Sequence, residues 1–140
     1  RIRHYNTIME LKSDLFDFSE KACPVLHAIS VPTRFAILLA IGRGETCVCQ
    51  LESILGLRQA YISQHLMALR KAEILQDRRD GRYVYYRLKD ESTLALLRDA
   101  AVLSGLDPEF IDRLTTPKLG SICKSTPNAL TDTTEATHSG

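Results

Sequence analysis

No apolar run in these 140 residues approaches the ~18 needed to cross a bilayer, and no basic stretch leads into an apolar segment with a small-residue cleavage site. Both absences set the expectation of a cytoplasmic protein with no membrane partner. An excess of one charge is also missing. Eighteen Lys and Arg face 17 Asp and Glu, for a net charge of +1, so bulk charge argues neither for nor against nucleic acid. Cysteine is sparse, with only Cys23, Cys47, Cys49 and Cys123. An even count allows two disulfides, yet nothing marks the chain as secreted. Close-spaced cysteines in a cytosolic setting more often bind metal or carry redox chemistry. A Gly-rich phosphate loop, a strained nucleophile turn and a convergent acid pair are all lacking. An enzyme built on a Cys49–His65 pair is left without support.

What is present is a helical pattern with one switch of period. Apolar residues make up 44% of the chain, enough for the core of a single domain. Leu11, Leu15, Phe18, Ala22, Val25, Leu26 and Ile29 recur at helical spacing, with Pro24 expected to loosen the leading part. Pro32 opens a second helix carrying Phe35, Ile37, Leu38 and Ile41, closed by Gly42 and Gly44. Val48, Leu51, Ile54 and Leu55 define a short helix stopping at Gly56. After the turn Gly56-Leu57-Arg58, a second helix runs from Gln59 to about Ala72 on an Ile62, Leu66, Leu69 stripe. Two short helices joined by a Gly-containing turn are a helix-turn-helix signature.

From Leu75 the period becomes that of a strand. Residues 75–79 and 82–88 flank Asp80-Gly81, a hairpin dipeptide, and predict a two-stranded β-hairpin wing. A final helix is expected from Glu91 to about Gly105. The expected fold is therefore mainly α (α+β), a winged helix-turn-helix. Its expected divisions are an N-terminal extension (1–19), the winged domain (20–106) and a C-terminal extension (107–140) whose end is expected to be disordered.

These segments resemble the ArsR/SmtB family of bacterial metal-sensing repressors. The resemblance covers about Ala22 to Ala101. It rests on Val31-Pro32-Thr33-Arg34-Phe35-Ala36-Ile37-Leu38, Ser63-Gln64-His65-Leu66, Asp80-Gly81-Arg82-Tyr83-Val84-Tyr85-Tyr86 and, most specifically, Glu45-Thr46-Cys47-Val48-Cys49-Gln50-Leu51. It implies a homodimer joined through the first and last helices, with recognition helices in successive major grooves of double-stranded operator DNA. It also implies that Cys47-Val48-Cys49 is the metal box of arsenic-, cadmium- and lead-responsive members. A twofold interface would bury Leu15, Phe18, Leu94 and Leu97, expected on the outer faces of those helices.

On the recognition helix Gln59, Ser63 and Gln64 are polar side chains able to hydrogen-bond base edges. His65 beside them is a candidate DNA contact or a packed structural histidine. Arg78, Arg79 and Arg82 at the hairpin are expected on phosphate, giving affinity rather than sequence choice.

Cys47 and Cys49 fall at the start of a helix, where the N-terminal partial charge favours thiolate, and soft thiolates select arsenite, cadmium or lead, with zinc less favoured. Residues two apart on a helix point to nearly opposite sides. Joint coordination therefore requires an extended or unwound first turn, and unwinding would strain the element that positions the recognition helix. A pair is an incomplete site. The position three after Cys49, where arsenic-responsive relatives carry another cysteine, holds Glu52. Cys23, similar to the N-terminal cysteines of cadmium sensors, is the preferred completion and Cys123 the second. Of the last-helix zinc site only Asp90 survives; Leu103 stands where a histidine is required. A redox or persulfide sensor of the same fold is the alternative.

Overall fold

The computed structural model describes residues 7–115; Cys123 and the tail expected to be disordered lie outside them. Six helices and three strands follow in the order α1 Ile8–Ile29, α2 Pro32–Ile41, β1 Thr46–Cys47, α3 Val48–Leu55, α4 Gln59–Lys71, β2 Leu75–Asp80, β3 Tyr83–Leu88, α5 Ser92–Leu103 and α6 Pro108–Thr115. No single helix among the described residues is long and apolar enough to cross a membrane.

Helix α1 opens on Thr7, whose Oγ1 accepts from Glu10 N–H at 3.3 Å, a common way to satisfy an orphan donor at a helix start. It then runs unbroken through Pro24, against the loosening expected there. Pro24 lies on an exposed stretch, so water can satisfy the carbonyl that the missing N–H leaves unmatched. The division expected at 19/20 therefore falls inside one helix.

The core forms where helical stripes converge. Ile37 and Leu38 of α2, Leu51 of α3, Ile62, Leu66 and Leu69 of α4 and Leu97 of α5 are fully buried. Burial of each such side chain contributes about 1.5–3 kcal/mol, and together they hold α3 against α4. Helix α3 stops on Gly56, which takes the left-handed conformation at φ 64°. The turn and the Gln59 start of α4 follow as the sequence predicts.

Two parts of the wing differ from expectation. Asp80 pairs with Tyr83, so the two-residue loop is Gly81-Arg82 rather than Asp80-Gly81. Gly81 at φ 59° occupies the first loop position, as a type II′ hairpin requires. The sheet also has three strands, ordered β1-β3-β2. Thr46 and Cys47 pair antiparallel with Tyr86 and Tyr85, which joins the start of α3 to the wing.

Helix α5 is not the last. Asp107 Oδ1 accepts from Glu109 N–H at 3.0 Å, and Pro108 fits the first turn of α6. That helix buries Ile111 and Thr115 while packing on α2 and α5. The division expected at 106/107 precedes an element that belongs to the packed fold. Leu97, expected on an outward face, is instead a core residue, and Leu94 is partly buried against that core.

Candidate thiol site and DNA-reading face

Cys47 is the last residue of β1 and the N-cap of α3, with extended backbone at φ −88° and ψ 167°. Cys49 is the second residue of α3. Because Cys47 lies outside the helix, the two side chains need not diverge. Their sulfurs lie 2.6 Å apart. The extended first turn that joint coordination requires is thus already present, and the expected unwinding is unnecessary. Gln50 Oε1 accepts from Cys47 N–H at 3.0 Å in a capping box. Cys47 is 1% exposed and Cys49 is half-buried, so one side of the pair is shielded and the other can be approached.

The other cysteine within the described residues is elsewhere. Cys23 is exposed on α1, and no group of three or more Cys, His, Asp or Glu among the described residues is close enough to hold a metal ion. The third expected ligand is therefore not assembled from the described part of one chain.

Beside the thiol pair stands a charged contact that the sequence reading missed. Arg78 of β2 grips Glu45, just before β1, with Nη2 at 2.7 Å and Nε at 3.2 Å from Oε2. The guanidinium also lies 5.0 Å from the centre of the Tyr85 ring and 3.7 Å from Asp80. The hydrogen bond from Arg78, reinforced by its charge, holds the Glu45 carboxyl below the usual carboxylate range. Arg78, expected on phosphate, is thus engaged within the wing. Arg79 and Arg82 remain exposed at the hairpin end. The only sequence signal for Glu45 is its position two before Cys47, on the same face of an extended strand.

On α4, Gln59 and Gln64 are exposed and Ser63 is half-buried, all off the buried stripe. His65 is turned toward the body. Its Nδ1 accepts from Arg34 Nε at 3.3 Å, and its ring meets Tyr61 edge-on at 4.6 Å. Arg34 also donates to the Ala28 carbonyl at 3.3 Å, tying α1, α2 and α4 together. Burial, then the Arg34 charge, pushes the His65 pKa down, and its Nε2 is buried without a hydrogen-bond partner. Tyr61 shares a 3.4 Å hydrogen bond with Thr33 at the start of α2.

Residues 31–77 match the family described as bacterial regulatory protein, arsR family. The arsenic resistance transcriptional regulator ArsR1 of Pseudomonas putida is 50% identical over 68 residues, 48% of this chain and 53% of that protein. The HTH-type transcriptional repressor SmtB of Mycobacterium tuberculosis is 35% identical over 88 residues, 63% of this chain and 65% of that protein. The chain thus spans about half to two thirds of the length of these curated relatives. Reduced HlyU from Vibrio cholerae superposes with a TM-score of 0.60 at 30% identity, covering 64% of this chain and 95% of that one.

Proposed function

The chain belongs to the ArsR family of bacterial regulatory proteins, and on that premise we propose that it is a homodimeric repressor released from operator DNA when a thiophilic ion binds Cys47 and Cys49. The family consists of DNA-binding regulators rather than enzymes. Arsenite is the first-ranked inducer, since an arsenic resistance regulator is among the relatives sharing half of the aligned residues; cadmium and lead follow on the softness of the donors. The observation that carries this reading is the pair of sulfurs 2.6 Å apart, placed where β1 of the wing sheet passes into α3.

A bound ion would bridge the Cys47 and Cys49 sulfurs. The chain's own residues do the rest. The β1 ladder and the capping box fix where Cys47 sits, and α3 fixes Cys49. Completion falls to Cys123 or to Cys23 of a second copy. Gly42, against which the Thr115 carbonyl packs, lies only five residues before Cys47, and Cys123 lies eight residues beyond Thr115. Eight residues reach up to ~26–29 Å and five at most ~18 Å, so chain length permits completion by Cys123 within one chain. Three sulfurs suit arsenite or lead; four suit cadmium or tetrahedral zinc. The same proximity supports a second reading, in which a peroxide-class oxidant takes two electrons and two protons from a thiol pair to form a disulfide.

In this account Gln59, Ser63 and Gln64 read base edges while Arg79 and Arg82 hold phosphate. Arg78 braces the wing, and His65 positions α4 against α2. Gln64→Ala is expected to reduce discrimination at one base pair by about 1–3 kcal/mol. Arg82→Ala should weaken binding to all sequences alike and lower the salt slope by about one. Fluorescence anisotropy on operator and scrambled duplexes reads both effects. Unchanged affinity in the double variant would overturn these contacts.

A further inference from the structure

Cys47, Tyr85 and Arg78 form one cross-strand row, because Cys47 is the register partner of Tyr85 and Tyr85 that of Arg78. Direct partners project to the same face of a sheet, and Glu45, two residues before Cys47, shares it. The Arg78–Glu45 grip therefore runs diagonally over the Tyr85 ring, from one edge strand to the chain entering the other. An isolated surface ion pair contributes little to stability. This one is two-pronged and stacked, and it meets the chain two residues from a proposed ligand. Strand β1 is only two residues long, so few other ties hold it to the wing.

We infer that the Glu45–Arg78 pair is the coupling element that carries inducer binding at Cys47 to the wing. Glu45 and Arg78 are positioning residues here. Cys47 is buried and serves at once as ladder residue and N-cap, so pulling its sulfur onto an ion shifts β1. Glu45 moves with β1 and carries Arg78, and with it β2, out of the DNA-bound arrangement. Coupling of this kind needs one element that both sites bias. Strand β1 with its charged tie is such an element on the path from the thiols to Arg79 and Arg82. The inference rests on the arsenite site proposed above.

The test compares the wild type with Glu45→Ala and Glu45→Gln. Arsenite bound per chain is measured by elemental mass spectrometry after gel filtration, and operator affinity by anisotropy with and without arsenite. In the wild type arsenite is expected to weaken operator binding by a factor within the usual ~5–150-fold range of allosteric coupling. Both variants should bind arsenite at the wild-type ratio and hold the operator without arsenite. Their weakening by arsenite should fall to less than about one third of the wild-type factor. Loss of a merely structural contact would lower affinity equally in both conditions and leave that factor intact, which overturns the inference. If Glu45→Ala does not fold, Glu45→Gln, which removes the charge and keeps the volume, decides alone. A wild type that binds no arsenite overturns the underlying site, whatever the variants do.

Discussion

Cys47 caps a helix, pairs in a ladder and offers a sulfur, and these three demands explain why it sits where it does. A serine there satisfies the first two, since serine is among the preferred N-cap residues. Cys47→Ser is therefore expected to keep the fold while removing the proposed soft ligand, which makes it a clean control. His65 is a different case. Its sequence position beside Gln64 left a DNA contact and a structural role equally open, and the Arg34 hydrogen bond and Tyr61 contact favour the second. The fold holds its pKa below the ordinary 6.5. As pH falls, the unfolded chain takes up this proton first, so stability is full above about 6.5 and is lost toward the depressed folded value. Thermal melts from pH 7.5 to 5.5 should show the wild type losing stability relative to His65→Gln, which keeps an acceptor but does not titrate. Parallel curves would contradict the assignment.

At the scale of elements, long periodic segments were legible and short ones were not. The α3–turn–α4 unit follows from the spacing of Leu51, Ile62, Leu66 and Leu69 and from the Gly56 stop. Strand β1 was missed because two residues show no period, and only pairing with distant Tyr85 and Tyr86 makes Thr46 and Cys47 a strand. The sulfur geometry was hidden for the same reason: treating both cysteines as helical puts them on opposite sides. Helix α6 did leave a signal, Asp107 followed by Pro108, a capping residue before a first-turn proline, within a stretch easily taken for the start of a tail. Its packing explains Gly42. That residue has φ 54°, and a Cβ there would lie 2.3 Å from the Thr115 carbonyl oxygen. Gly42→Ala is expected to destabilise the protein by about 2 kcal/mol in urea unfolding and to raise amide exchange in 108–115. An unchanged midpoint would contradict the α2–α6 junction.

For the whole molecule, much apolar surface is left in the open. On α1, Leu15, Phe16 and Phe18 are 58%, 62% and 73% exposed, and a helix of 22 residues buries only Ala28 and Ile29. Between α2, α5 and α6 lies a cavity of about 440 Å3 lined by residues including Phe35, Leu39, Phe110 and Leu114. Exposed apolar side chains gathered on one helix suit an interaction surface, and a second copy is the proposed occupant. Of the four residues first expected in that interface, Leu15 and Phe18 retain the exposure it needs, whereas Leu97 is spent in the core. The double variant Leu15→Glu, Phe18→Glu should sediment as a monomer and lose specific operator binding, because two half-sites are then no longer held together. A dimer that survives both substitutions would contradict this.

The most direct test of the central claim is an operator-release titration. Reduced protein is bound to a labelled duplex from its own promoter region, and arsenite, cadmium, lead and zinc are added separately, beside a Cys47→Ser, Cys49→Ser control. The account predicts release by arsenite or another thiophilic ion in the wild type and none in the control, which still binds the duplex. Release by oxidant alone, or equal release in the control, would contradict a metalloid site at Cys47 and Cys49.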